Sequence, residues 1–416
     1  MWKRWRIRIL LFLAVLGPGF ITANVDNDSG GIFTYSQAGA QYGYTLLWTM
    51  IPITIALIVV QEMCSRMGVV TGKGLSDLIR EEFGLRLTFI MMVLLVVLNY
   101  TNVVTEFIGI AGSLHLFHVS KFISVPICAF LVWLLVLKGD YKSTEKIFLL
   151  ASLVYIAYIF AGVLAHPDWH EALVATVKLP SKTVWSDKTY IYMAIGVVGT
   201  TIAPWMQFYL QSSVVEKGIP VKDYAASRLD VIVGCFFTDL IAWFIVVACA
   251  ATLFVHGMGA IQVAADAAEA MRPLAGDYAF LLFAFGLFNA SLFAASILPL
   301  STAYTVCEGL GVESGVDKSF KEAPFFYWLY TLLIVGGALT VLVLPDAQLI
   351  NVAILSQVLN GVLLPVVIIP MLLLINRKDL MGDHRNTRLW NVIAWATSAI
   401  VIVMTGVMLW GMLPGH

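Results

Sequence analysis

Asn24, Asp26, Asn27, Asp28 and Ser29 fall within six residues, followed at once by Gly30 and Gly31, and all of them come directly after the apolar run ILLFLAVLGPGF. Carboxylates, amides and backbone carbonyls are the ligand set of hard divalent cations. An ionised Asp inside a bilayer is costly unless it is paired, hydrated or bound to a cation. No Lys or Arg stands within an apolar run to neutralise it, and the nearest basic residues sit at the ends of the runs. A metal cation is then the natural counter-charge. A helix interrupted here would add free carbonyl oxygens, with Gly30 and Gly31 expected to let the backbone turn.

Other polar residues interrupt apolar runs. Gln207 closes the stretch GTTIAPWMQ, Asn289 lies in LFNASLF, and Gln357 and Asn360 lie in SQVLNGVLLP. Each alone is more often an interhelical hydrogen-bonding residue than a ligand. Glu106 and Asp239 read either as ion-pathway acids or as hydrogen-bonded structural acids, while Glu62 and Asp230, near run ends, read as solvated. The seven His fall in loops or at run ends, and HPDWH (166–170) is a weak metal motif. The five Cys show no metal or disulfide spacing and read as buried thiols. There is no P-loop, HExxH or GxSxG, so neither an enzyme nor a resident cofactor is expected. No basic patch with interleaved aromatics points to nucleic acid.

The elements that must carry these groups are membrane helices. The chain has 416 residues, 60% hydrophobic and 12% charged, against about 25% charged in soluble domains. Apolar runs of about 20 residues recur throughout, and the alternating ten-residue segments of a transmembrane barrel are missing. An all-α polytopic membrane protein follows. Eleven spans are expected: 7–42, 44–66, 87–114, 121–138, 145–165, 189–216, 229–256, 278–307, 323–344, 347–376 and 389–412. The basic N-terminus lacks a convincing cleavage site and reads as a retained first span.

With the N-terminus inside, 20 of the 25 Lys and Arg fall on the inner side; only Lys121, Lys178, Lys182, Lys188 and Arg272 lie outside. This predicts N-in and C-out. The first span is interrupted at GPGFITANVDNDSGG, and the sixth at GTTIAPWMQ. There Pro204 removes a donor and disfavours helix at Ala203. Five spans separate the breaks, an odd number, so a five-span repeat would be inverted. Paired broken helices of this kind mark the midplane site of a transporter. The expected organisation is a first repeat (1–165), a loop (166–188), a second repeat (189–376), and an eleventh helix with the C-terminus (377–416).

The motifs GPGF (17–20), QAGAQYGYTLLW (37–48), GVVTGKGLSDLIREEFG (68–84), TEFIGIAGS (105–113), GTTIAPW (199–205) and SQVLNGVLLP (356–365) resemble those of the Nramp family of divalent-metal transporters over nearly the full length. The resemblance implies a LeuT-like fold, two inverted five-helix repeats plus an eleventh helix, with a metal site between broken helices 1 and 6. It places the family's Asp-Pro-Gly-Asn on Asp28, Ser29, Gly30 and Gly31, keeping the Asp and losing the Asn. The family's Met-Pro-His becomes Ala203, Pro204 and Trp205, its second helix 6 His becomes Gln211, and a helix 3 Asp becomes Val103 beside the retained Glu106.

A thioether favours transition metals, and its loss leaves hard oxygens suited to a partly hydrated Mg²⁺. The lost His and Asp are groups a family member would use to carry protons. The pattern resembles the Nramp-related magnesium transporters, which implies import of Mg²⁺ and Mn²⁺ across the cell membrane without obligate proton coupling. The expected ligands are Asp28, the Ala203 carbonyl, Gln207 and Gln357. Asp26, Gly31, Trp205, Glu106, Asp239 and Asn289 line the pathway or support the site. The expected partners are the ion and the lipid bilayer. The rivals are a proton-coupled Mn²⁺/Fe²⁺ symporter, a carrier of organic solutes on the same fold, and a metal-binding membrane sensor without transport.

Overall fold

The computed structural model describes residues 17–138, 147, 149, 152, 154–257, 259–261 and 264–411. Residues 7–16 of the first expected span, most of 145–153 in the fifth, and residue 412 lie outside that set. All regular structure among the described residues is helical. In order, the helices are α1 (Pro18–Val25), α2 (Ser29–Tyr42), α3 (Met50–Thr71), α4 (Leu75–Phe83), α5 (Leu85–His115), α6 (Lys121–Lys138), α7 (Ile156–Leu164), α8 (Trp169–Val177), α9 (Lys188–Thr201), α10 (Pro204–Glu216), α11 (Tyr224–Cys249), α12 (Ala264–Leu310), α13 (Pro324–Val343), α14 (Asp346–Ile375) and α15 (Arg388–Gly411). Eight described stretches are long and apolar enough to cross a membrane. The chain is a multi-pass membrane protein.

Both breaks have local causes. α1 starts with Pro18 in its first turn, where a missing N–H costs nothing. It ends in two tight turns, with Asp26 N–H donating to Ala23 O and Asn27 N–H to Asn24 O, both at 3.2 Å. Asp28 is then extended (ψ −178°) and caps α2, its carboxylate accepting the Gly31 N–H at 2.7 Å. A capping Asp prefers this non-helical backbone. At the second break Ala203 is extended (ψ 139°) immediately before Pro204, which opens α10, as a pre-proline residue must be.

The sequence expectation differs in three places. Span two begins with a 3₁₀ turn (Gly43–Thr49) and runs on to Thr71. Span eight is extended to Ala264–Leu310. The loops contain short helices among the described residues: α4, α8 and Lys378–Met381. HPDWH begins α8, with Asp168 accepting the Glu171 N–H at 3.0 Å and both His exposed.

α1 packs on α11, and α2 lies among α11, α9, α14 and α5; α9 packs on α14, and α12 runs along α5. The broken first and sixth spans thus sit at the centre. This is the LeuT-like fold, with two inverted five-helix repeats and an eleventh helix.

Candidate functional site

Asp28, 4% exposed, sits at the N-terminus of α2. One oxygen takes the Gly31 N–H, and its carboxyl lies within hydrogen-bonding reach of Glu106 on α5. Glu106, fully buried, also accepts the Ser29 N–H at 3.2 Å and the Ser29 hydroxyl at 2.9 Å, leaving its second oxygen without a partner. Gly30 and Gly31 do not turn the chain. They lie in the first helical turn of α2, and neither has a positive φ. Their smallness serves close approach. A Cβ on Gly30 would strike the Gln357 side chain, and one on Gly31 would stand 2.5 Å from the Asp26 carbonyl oxygen.

The two breaks meet through α9. Thr201 Oγ1 lies 2.7 Å from the Tyr35 hydroxyl of α2, and Thr200 Oγ1, buried and unpartnered, faces Gly31. Ala203 follows two residues later, 2% exposed. The Gln207 amide folds back onto the Ala203 and Pro204 carbonyls, which its nitrogen, turned toward them, reaches at 2.7 and 2.6 Å. That orientation is assigned from hydrogen bonding. Gln357 on α14 rests on Gly30, its oxygen accepting from Asn360 at 2.8 Å and its nitrogen donating to Ser356 at 3.1 Å. Asn360 exchanges hydrogen bonds with Asn102 of α5 at 3.1 and 3.2 Å. Trp205, 1% exposed, fills the wall beside Tyr209 and accepts at its carbonyl from Ser301. Asn289 is half-buried on α12.

Asp26 and Asp239, 2% and 4% exposed, interact with each other across the break, and neither has a hydrogen-bond partner on either carboxylate oxygen. Among the described residues no three of His, Cys, Asp and Glu come together as a metal-binding group. The polar groups gathered at the breaks are carboxylates, amides, hydroxyls and carbonyls.

Two expectations are corrected. Asp230 is not solvated. It is 2% exposed and accepts N–H groups of Gly17, Gly19 and Phe20 at 3.0, 2.8 and 3.2 Å, capping α1 from α11. Its position near a run end concealed that a broken helix needs such a cap. Glu62, 1% exposed, is likewise buried. It binds Arg66 at 3.0 Å and the Tyr224 hydroxyl, while Arg66 reaches the His384 and Arg385 carbonyls. Gln211 donates to the Lys73 carbonyl at 2.8 Å. The five Cys are free and buried.

Sequence reasoning passed over Tyr35, Thr105, Thr201 and Ser356, which with Ser29 knit the site. Thr105 Oγ1 pairs with Ser356 Oγ at 3.1 Å, and its carbonyl accepts the Ser29 hydroxyl at 2.7 Å. Their only signal was hydroxyls inside apolar runs.

Comparison with known proteins bears on the family and the fold. A family profile described as Nramp, natural resistance-associated macrophage protein-like, matches residues 19–411. The chain is 27% identical to the divalent metal cation transporter MntH of Deinococcus radiodurans over 98% of this chain and 91% of that protein. It is 28% identical to MntH of Ralstonia nicotianae over 100% of this chain and 93% of that protein. It superposes on the Eremococcus coleocola manganese transporter with a TM-score of 0.76 at 22% identity, covering 97% of this chain and 89% of that one.

Proposed function

The chain belongs to the Nramp family, and on that premise we propose that it imports Mg²⁺, and Mn²⁺ with it, across the cell membrane by alternating access without proton coupling. Asp28, the Ala203 carbonyl, Gln207 and Gln357 are the ligands, and several waters stay on the ion. Asp26, Gly31, Trp205, Glu106, Asp239 and Asn289 line or support the path. Residues 1–165 and 189–376 are the two halves that move against each other, with the N-terminus cytoplasmic and the C-terminus outside.

The observation that carries this reading is the donor set at the breaks. Asp28 caps α2 while its neighbours offer amides, hydroxyls and carbonyls, and Ala203 brings a methyl and a carbonyl where a thioether ligand would stand. Mg²⁺ binds through few carboxylates and keeps waters, whereas soft metals gain most from the missing sulfur. Burial supports alternating access, since Asp28, Ala203, Gln207 and Gln357 are each 4% exposed or less. A cavity of about 490 Å³ is lined by His115, His118, Lys121, Asp346 and Ile108, two residues from Glu106.

One observation favours the proton-coupled Mn²⁺/Fe²⁺ symporter: Glu106 is retained and faces Asp28. Proteoliposomes loaded with a Mg²⁺ dye and a pH dye separate the two. The expected result is Mg²⁺ influx with unchanged internal pH, stopped by Asp28→Ala. Mn²⁺ influx with acidification and no Mg²⁺ flux would establish the symporter instead.

A further inference from the structure

The buried acids at the first break fall into two pairs. Asp28 accepts the Gly31 N–H of its own helix and lies against Glu106 of α5. Asp26, two residues earlier, lies within electrostatic range of both Asp239 of α11 and Asp28. Asn27, between them, is clamped to α11 by its amide, donating to Thr238 Oγ1 at 2.6 Å and to the Thr238 carbonyl at 3.0 Å. This clamp brings the break against the Thr238–Asp239 stretch of α11.

The second pair is unsatisfied. All four carboxylate oxygens of Asp26 and Asp239 are buried without a hydrogen-bond partner. Thr54, beside Asp239, gives its hydroxyl hydrogen to the Met50 carbonyl at 2.7 Å. Among the described residues no Lys, Arg or His forms an ion pair with either acid. The Asn27 amide oxygen, on a fully buried side chain anchored next to Asp239 in sequence, is also unpartnered. The Tyr35 hydroxyl lies in the field of both acids. Two buried carboxyl groups this short of donors either hold a proton or share a counter-charge.

We propose that Asp26 and Asp239 form a second site for a hydrated divalent cation, apart from the ligands around Asp28. The inference rests on the transport reading above and extends it. Two carboxylates with retained waters are a sufficient protein contribution for Mg²⁺. Asp26 rides on the break and Asp239 on α11, so the pair assembles or separates as α1 and α2 move. The site is a waiting position from which an ion is handed to Asp28.

The test is equilibrium binding of radioactive Mn²⁺ to the purified full chain, together with an anomalous difference map of wild-type crystals soaked in Mn²⁺. The expected result is two ions per wild-type chain, one in Asp28→Ala, and one in Asp26→Asn/Asp239→Asn. The map would show a peak between Asp26 and Asp239. A single wild-type ion that Asp28→Ala removes, with no such peak, overturns the second site and leaves the transport reading standing. A wild-type chain that binds no Mn²⁺ removes both. If the double variant fails to fold, the wild-type map and the Asp28→Ala count decide alone.

Discussion

Under the proposed function, Ala203 is the side chain that sets the ion. Its carbonyl is already engaged by the Gln207 amide, and its methyl adds nothing to a metal. Ala203→Met would place a thioether at the break and move the site toward soft cations. Cd²⁺ competition against Mn²⁺ uptake should strengthen about tenfold, about 1.4 kcal/mol, while Mg²⁺ flux falls. An unchanged competition curve would show that position 203 does not face the ion. Gly31→Asn makes the opposite point. It restores the amide of the family motif, but its Cβ would stand 2.5 Å from the Asp26 carbonyl oxygen. We expect it to reduce uptake of both ions rather than raise Mn²⁺ affinity, as initial-rate measurements would show.

At the scale of elements, the breaks are held by caps rather than by flexible chain. Asp28 caps α2 from within, and Asp230 caps α1 from a helix more than 200 residues away. Asp230→Ala leaves three N–H groups of a buried helix start without their acceptor. A buried donor left unmade costs about 1–3 kcal/mol, so thermal unfolding in detergent should shift down clearly. Asp230→Asn, which keeps one acceptor oxygen, should fall between. Equal melting temperatures for all three would mean that water caps α1 as well as Asp230 does. Near the same end of α11, Glu62 and Arg66 of α3 join Tyr224, the His384 and Arg385 carbonyls and Trp390. That network ties α3 to the segment between α14 and α15.

For the whole molecule, the relevant energy is the membrane potential. A divalent ion crossing 100 mV gains about 4.6 kcal/mol, twice the single-charge figure. On the proposed uncoupled mechanism this is the drive for uptake. Mg²⁺ influx into proteoliposomes should rise when valinomycin clamps the interior negative and fall when it is positive, with the same response at pH 6 and 7.5. A rate that follows an imposed pH gradient at zero potential would return the proton to the mechanism. The positive-inside distribution also predicts that single cysteines at Lys73 and Lys182, read with an impermeant thiol reagent, label from opposite sides of the cell.

The sequence by itself determined the membrane class, the two interruptions and the carboxylates within them. These follow from composition, helix-breaking chemistry and the cost of charge in lipid, all of which are local. Pro204 and the extended residue before it were legible for that reason, and so was the burial of the five Cys. Tertiary structure decided which groups meet. Nothing in the order of residues shows that Asp230 turns to Gly17, that Asp26 faces Asp239 while Asp28 faces Glu106, or that Gly30 is small because Gln357 presses on it. These contacts join residues far apart in sequence, and each depends on how helices cross. The amphipathic α4 was missed because its apolar face is short and its charges resemble a loop. Periodicity and propensity fix where a helix begins and breaks; only packing fixes what its polar residues find on the other side.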